Sequence, residues 1–303
     1  MNTNTNSSAR KDTVGFVGLG MMGAPMAANV AKTYPTVVYD IDAAKNQLLA
    51  DQGAQVATGA VDVGARASTM ISMVDTTAQA EDVIIGGFLQ HAQAGDLIIS
   101  MGTIDPLAVR RMHAQLAEKG VDFIDAPVSG MGDAPARADL KTFVGGDAAT
   151  VERAMPVLRT MASNITHVGD IGQGIVMKLV NNMMVQANRI IVVEALVMGA
   201  KAGLDPQMMY DVITKASGNS AAFQHAAPRA LKRDFKGIRM DITFKDLELE
   251  TQLAKALQVP CFMANVAQQV YQMGRASGFG SEDTSAIVKV YEQFAGVTLE
   301  ARG

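Results

Sequence analysis

Gly18, Gly20 and Gly23 stand as G-x-G-x-x-G directly after the β-branched and aromatic run Val14–Val17 and directly before an Ala-rich segment with Pro25 near its start. A strand that turns this sharply into a helix demands a βαβ unit, and few other local patterns constrain a fold as tightly. A second strand, TVVYD, ends at Asp40, twenty residues after Gly20. In such a unit the loop residues Gly18, Leu19, Gly20, Met21, Met22 and Gly23 offer backbone amides at a helix N-terminus to a pyrophosphate, and the Asp40 carboxylate accepts hydrogen bonds from ribose hydroxyls. Asp40 would repel a 2′-phosphate, and Ile41, Asp42 and Ala43 supply no arginine to welcome one; Lys45 is the nearby positive charge. The expected cofactor is NAD, with NADP the less favoured choice.

Apolar runs recur at 55–57, 69–74, 96–101, 121–128, 142–144 and 165–168, with helical or loop segments between most of them. That alternation predicts an α/β Rossmann-type, doubly wound sheet, largely parallel, whose last strands extend it in mixed orientation. Ligands bind at the carboxyl ends of such strands. Three segments fall there: SMVDTT, with Met73 and Val74; SMGTIDP, with Thr103; and DAPVSGMGDAPARADL, a loop rich in Gly, Pro, Ser and Asp. The first two are expected to flank the nicotinamide half of the cofactor.

The stretch 169–204 opens with Gly169, Gly172 and Gly174 and then runs almost thirty residues without proline. It predicts one helix of roughly 45 Å, long enough to be shared by two domains. Lys178, Asn182, Gln186 and Arg189 recur at spacings of four, four and three, so they share one narrow face, and the other faces read as buried. The stripe is either the wetted side of a surface helix or a functional face. A lysine near a helix N-terminus among apolar residues is a candidate acid or base, because desolvation and the positive helix end both favour its neutral form. The polar and charged residues inside the run argue against a membrane span.

At 303 residues the chain can bury two domains. A net charge of −4 with an 18% share of charged residues argues against a nucleic-acid footprint. The single cysteine, Cys261, and four scattered histidines point to a reducing, cytoplasmic setting and no structural metal. Residues 1–12, MNTNTNSSARKD, are polar and lack the apolar core of a secretion signal or anchor, so they read as a disordered tail. The expected division is a dinucleotide-binding domain over 13–171, a connecting helix over 172–204, and an all-α domain over 205–303. In that last part Asp205-Pro206 marks a helix start, and 246–257, 261–276 and 283–294 carry helical periodicity. Arg229, Lys232, Arg233, Lys236 and Arg239 form a basic stretch, read as a solvated face or an anion pocket.

In this order and spacing, GFVGLGMMGAPMAANVAK, DAPVSGMG and GDIGQGIVMKLVNN resemble the β-hydroxyacid dehydrogenase family, which includes 3-hydroxyisobutyrate dehydrogenase and tartronate semialdehyde reductase. ITFKDLELE resembles the family's fourth motif and SEDTSAIVKVYE its C-terminal end, so the resemblance runs from Thr13 onward. It implies that Lys178 is the catalytic lysine, that Asn182 helps hold the substrate, and that Ser129 and Gly130 contact the substrate carboxylate. It implies cofactor contacts for Thr103 and Lys245, and a substrate-lining aromatic at Phe235; Gly172 and Gly174 would then keep the helix entrance bare so that substrate can approach the backbone. Two positions depart from the family pattern: Met131 stands where a third small residue is usual, and Gly102 where serine is usual. The spacing from Phe235 to KDL is also shorter. The implied reaction is NAD-dependent oxidation of a 3-hydroxyisobutyrate-like β-hydroxy acid to its semialdehyde, or the reverse, by a homodimer or homotetramer acting on a small carboxylic acid. The alternatives are a tartronate semialdehyde reductase, an imine reductase, which usually lacks a lysine at this position, and a non-catalytic NAD-binding protein.

Overall fold

The computed structural model describes residue 10, residues 12–130 and residues 132–300. Met131 and all of the expected tail except Arg10 and Asp12 lie outside the described residues. Arg10 is tied into the N-terminal unit, its guanidinium 2.6 Å from Asp96 and 3.1 Å from the Gly64 carbonyl. The chain divides into two compact units with the boundary between Lys178 and Leu179.

The N-terminal unit begins with β1 (Val14–Val17), α1 (Gly23–Ala31), β2 (Thr36–Tyr39), α2 (Ala43–Ala50), β3 (Gln55–Val56), α3 (Ala60–Arg66), β4 (Thr69–Ser72) and α4 (Thr77–Glu81). It continues with β5 (Leu97–Ser100), α5 (Pro106–Ala117), β6 (Asp122–Asp125), β7 (Val128–Ser129), β8 (Leu140–Gly145), α6 (Ala148–Leu158) and β9 (Ala162–Gly169). Most of the helix starts follow from local chemistry. Asp42, Asp105 and Asp147 accept hydrogen bonds from first-turn amides, and Thr76 and Gln79 form a reciprocal capping box.

Among the described residues the sheet has nine strands in the order β3-β2-β1-β4-β5-β6-β8-β7, with β9 pairing β8. Every pair from β3 to β6 is parallel, whereas β6 and β7 meet β8 antiparallel. The doubly wound sheet with its mixed extension is therefore present, and the strand order reverses at β1/β4, where such folds open a crevice. One expected strand, 121–128, is broken in two. Pro127 has no amide to contribute to a ladder, and the buried Thr142 hydroxyl lies 3.0 Å from the Ala126 carbonyl and 3.1 Å from that of Pro127, holding the kink. Phe16, Met26, Ile71, Ile99, Ile124 and Leu158 centre a core packed on the sheet.

α7 (Gln173–Lys201) starts in the N-terminal unit and continues into the second. Its 29 residues span about 44 Å at 1.5 Å per residue. The second unit adds α8 (Pro206–Ile213), α9 (Ala221–Lys232), α10 (Met240–Ala256), α11 (Phe262–Ala276) and α12 (Val288–Ala295) around Val193, Leu196, Phe223, Leu247 and Tyr271. The helix expected over 283–294 is instead a 3-10 turn, Thr284–Ile287, leading into α12. Asp283 starts that turn, accepting from the Ser285 amide and from the Ile238 amide at 2.9 Å each.

The faces of α7 are distributed unlike the sequence expectation. Gln186 and Arg189, on the polar stripe, are each only 4% exposed, and the Tyr271 hydroxyl sits between them, 3.4 Å from the Arg189 guanidinium and 3.3 Å from the Gln186 carbonyl. The outward face is apolar: Val180, Met184, Ile191 and Met198 are all exposed, Met198 by 71%. By length and composition this helix could cross a membrane, yet its buried stripe faces protein.

Phe16 is fully buried at the centre of the sheet. Phe16→Ala is expected to lower the unfolding free energy by about 3–5 kcal/mol, measured by urea denaturation followed by circular dichroism.

Candidate active site

The glycine-rich turn is shaped by backbone meeting backbone. Gly18 has a positive φ of +97°, and a Cβ there would lie 2.3 Å from the Met73 carbonyl oxygen. A Cβ on Gly23 would lie 1.9 Å from the Gly18 carbonyl, whereas one on Gly20 would meet nothing within 4 Å. Gly20 thus leaves open space at the loop tip, while the two flanking glycines permit the close turn. α1 has no side-chain cap, in contrast to α2, α4, α5 and α6. An uncapped N-terminus behind a bare glycine loop fits an anion, since its amides retain donor capacity and the helix dipole favours negative charge.

Asp40 is fixed at the end of β2. Asn46 brackets its backbone, accepting from the Asp40 amide and donating to the Asp40 carbonyl, both at 2.7 Å. Its carboxylate accepts from the Leu19 amide at 2.7 Å and from the Asp42 amide at 2.9 Å, with the Lys45 ammonium 3.5 Å away. The acid and the glycine loop are therefore joined directly, and the expected positive neighbour is engaged by Asp40 and Asp42. These features fit the pyrophosphate and ribose of a dinucleotide.

Met73 and Val74 follow β4 and pack under the loop, where a Cβ on Gly18 would touch both. Gly102, which departs from the resemblance, has a physical reason. A Cβ there would stand 2.3 Å from the Val74 carbonyl oxygen, so the turn after β5 lies directly on the turn after β4. Thr103 follows in that turn, half-buried.

The loop carrying Ser129 and Gly130 is anchored at both ends. Ser129 pairs with Lys141 across the β7–β8 ladder, and a Cβ on Gly130 would lie 2.5 Å from Leu140. Further along, the buried Asn29 side chain of α1 donates to the carbonyls of Pro135 at 2.8 Å and Ala136 at 3.3 Å. The loop is thus tied to the helix that follows the glycine turn.

α7 carries Lys178 and Asn182 one turn apart, both half-buried. The glycines at its entrance were expected to leave room for substrate; the structure gives them another reason. A Cβ on Gly172 would meet Arg110 and the Pro106 carbonyl, and one on Gly174 would lie 2.4 Å from the Phe143 carbonyl and 2.8 Å from Asp125. Close packing against β6, β8 and α5 requires them. Burial of Asp125 pushes its carboxyl up to about 6, against the opposing pull of amide hydrogen bonds from Gly172 and Ile175.

In the C-terminal unit the Asn182 side-chain amide donates to Asp246 at 2.8 Å, and the Lys245 ammonium lies 3.2 Å from the same carboxylate. Asp246 therefore brings the two expected residues together. Phe235 packs at the edge of the helical core, with Lys289 4.4 Å and Arg233 5.1 Å from its ring centroid. In the basic stretch two side chains are engaged internally: Arg229 with Asp234 and the Lys236 carbonyl, and Arg233 with Glu292 at 2.6 Å. Sequence reading passed over Asp125 and Asp246. Both were visible as the acids opening DAPVSG and within KDL, but nothing in a linear string shows which amides they hold.

Comparison with known proteins agrees with this geometry. The family described as the NAD binding domain of 6-phosphogluconate dehydrogenase matches residues 13–169. The family described as the NAD-binding of NADP-dependent 3-hydroxyisobutyrate dehydrogenase matches residues 172–291. A 2-(hydroxymethyl)glutarate dehydrogenase from Eubacterium barkeri is 38% identical over 94% of this chain and 97% of its own length. The human mitochondrial 3-hydroxyisobutyrate dehydrogenase is 32% identical over 93% of this chain and 88% of its own. Among solved structures, a Mycobacterium tuberculosis 3-hydroxyisobutyrate dehydrogenase with L-serine superposes with a TM-score of 0.87 at 33% identity, covering 93% of this chain and 99% of that one.

Because Gly18 meets backbone on one side and has a positive φ, Gly18→Ala is expected to weaken NADH binding about tenfold or more. Fluorescence titration checks this; an unchanged dissociation constant would place the cofactor elsewhere.

Proposed function

This chain belongs to the 3-hydroxyisobutyrate dehydrogenase family of hydroxyacid dehydrogenases acting on CH–OH donors, and on that premise we propose that it interconverts a 3-hydroxyisobutyrate-like β-hydroxy acid and its semialdehyde with NAD. The observation that carries the reading is the placement of Lys178 on the first turns of α7, whose entrance packs against the segment that continues to Ser129 and Gly130. NAD, when bound, supplies the hydride acceptor. Gly18 to Gly23 and the open end of α1 would hold its pyrophosphate, and Asp40 its ribose. Met73, Val74, Thr103 and Lys245 are assigned to the remainder of the cofactor.

Lys178 manages the proton. In oxidation its neutral amine takes the proton from the C3 hydroxyl as the C–O bond becomes a carbonyl. In reduction its ammonium returns that proton to the developing alkoxide. Ser129, the Gly130 amide and Asn182 fix the carboxylate, and the distance from carboxylate to carbinol selects β- over α-hydroxy acids. Asp246 orients Asn182 by accepting from its amide. Phe235 is assigned to the lining of the substrate pocket on the resemblance alone. NAD is preferred over NADP because Asp40 is fixed and the nearby cation Lys45 already faces two carboxylates. A tartronate semialdehyde reductase follows from the same residues with the reverse direction favoured. The half-buried single cysteine, Cys261, accords with a cytoplasmic setting.

The reading includes self-association through the exposed face of α7. Val180, Met184, Ile191 and Met198 continue into Phe262 and Met263 of α11, with a groove of about 470 Å³ between the helices. Contiguous apolar surface of this kind marks an interface, and a second copy of the same face would cover it.

Lys178→Ala is expected to lower kcat by about 10²–10⁴-fold while leaving the NADH dissociation constant within about threefold. Following NADH absorbance with NAD or NADP against β-hydroxy acids and cyclic imines checks both the reaction and the cofactor; turnover of imines alone would reverse the assignment. Met184→Asp is expected to shift the protein to monomers in sedimentation velocity, and an unchanged oligomer would remove this face from the interface.

A further inference from the structure

Asp125 is the last residue of β6 and the first of the segment that continues to Ser129 and Gly130. It is 0% exposed. The Gly172 amide donates to Oδ1 at 2.6 Å and the Ile175 amide to Oδ2 at 2.7 Å, so each carboxylate oxygen holds an amide from the entrance of α7. Those amides have no partner within the helix, and the carboxylate sits at its positive end.

The surroundings are shaped to admit this contact. A Cβ on Gly145 would lie 2.5 Å from Asp125 Oδ1 and 2.7 Å from the Gly174 amide nitrogen, and one on Gly174 would lie 2.8 Å from Asp125 Oδ2. Two glycines from different elements therefore make room for one carboxylate. Its folded-state value of about 6, against 3.8 for an ordinary carboxyl, means that it contributes less stability as pH rises through that window. At neutral pH a buried, costly charge is a poor choice for stability alone.

We propose that Asp125 is a positioning residue for Lys178. Its carboxylate ties the end of β6, and with it the Ser129–Gly130 loop, to the first turn of α7, so that the lysine one turn later and the carboxylate-binding loop move as one body. This inference rests on the reading of Lys178 as acid and base.

A bidentate clamp of this kind cannot be reproduced by an amide. In Asp125→Asn one backbone N–H would face the side-chain NH₂ instead of an acceptor, which displaces the helix entrance. The expected result is a fall in kcat on the order of 100-fold, with the KM for NAD changed by less than about threefold. Hydrogen exchange, read by mass spectrometry on the full protein, should quicken in peptides covering 170–178 and stay unchanged over 13–31. Gly174→Ala, which leaves the charge in place and pushes the helix entrance away, should give the same split; it carries the test if the asparagine variant does not fold. A kcat within threefold of wild type in either folded variant would overturn the proposal. So would a parallel loss of NAD affinity and protection across the whole N-terminal unit, since that would make Asp125 a support of the domain at large. Lys178→Ala run alongside separates the readings: if it stays active the acid/base assignment fails, whereas an inactive Lys178→Ala beside an active Asp125→Asn sinks this inference alone.

Discussion

Three turns at the carboxyl ends of β1, β4 and β5 lie backbone against backbone, and the geometry of the cofactor half depends on that contact. Side chains on Gly18, Gly23 and Gly102 would each strike a carbonyl oxygen, of Met73, Gly18 and Val74 respectively. With those side chains absent, the strand-to-helix turn closes tightly and α1 points an uncapped end at the crevice where the strand order reverses. The Asp40 carboxylate is drawn onto the same loop through the Leu19 amide. A turn, an acid and a helix end thus behave as one rigid receptor for a dinucleotide.

The long helix α7 answers a different constraint. Half of its polar stripe is buried, with Gln186 and Arg189 meeting Tyr271, while Lys178 and Asn182 are half-buried and Asn182 meets Asp246. Its apolar stripe is exposed. That inversion places internal hydrogen bonding on the protein side of the helix and leaves large apolar side chains in solvent. Asp125 fastens the entrance of this helix to the sheet, which relates the position of Lys178 to strands built for a separate purpose.

Much of this was legible in the chain. The glycine fingerprint with Asp40 announced the dinucleotide crevice because its spacing is local and its steric demands are severe. Lys178 and Asn182 stood out because a 3.6-residue repeat aligns them. Other features were misread for lack of neighbours. Gly172 and Gly174 read as room for substrate, yet their space is taken by Arg110, Phe143 and Asp125. The run 121–128 read as one strand because periodicity does not register what Pro127 withholds from a ladder. The outward face of α7 read as buried because hydrophobicity alone does not state what covers it.

By itself, then, the sequence determined the element types, the doubly wound class, the cofactor fingerprint and the helix bearing the candidate lysine, all of which follow from residue spacing and backbone stereochemistry within a few turns. The tertiary structure decided which groups hold those elements in place. Asp125 lies 47 residues before the Gly172 amide that it accepts from, and Asn182 lies 64 before Asp246. Pairings across such separations are set by sheet order and helix packing, and no local pattern in the chain encodes them.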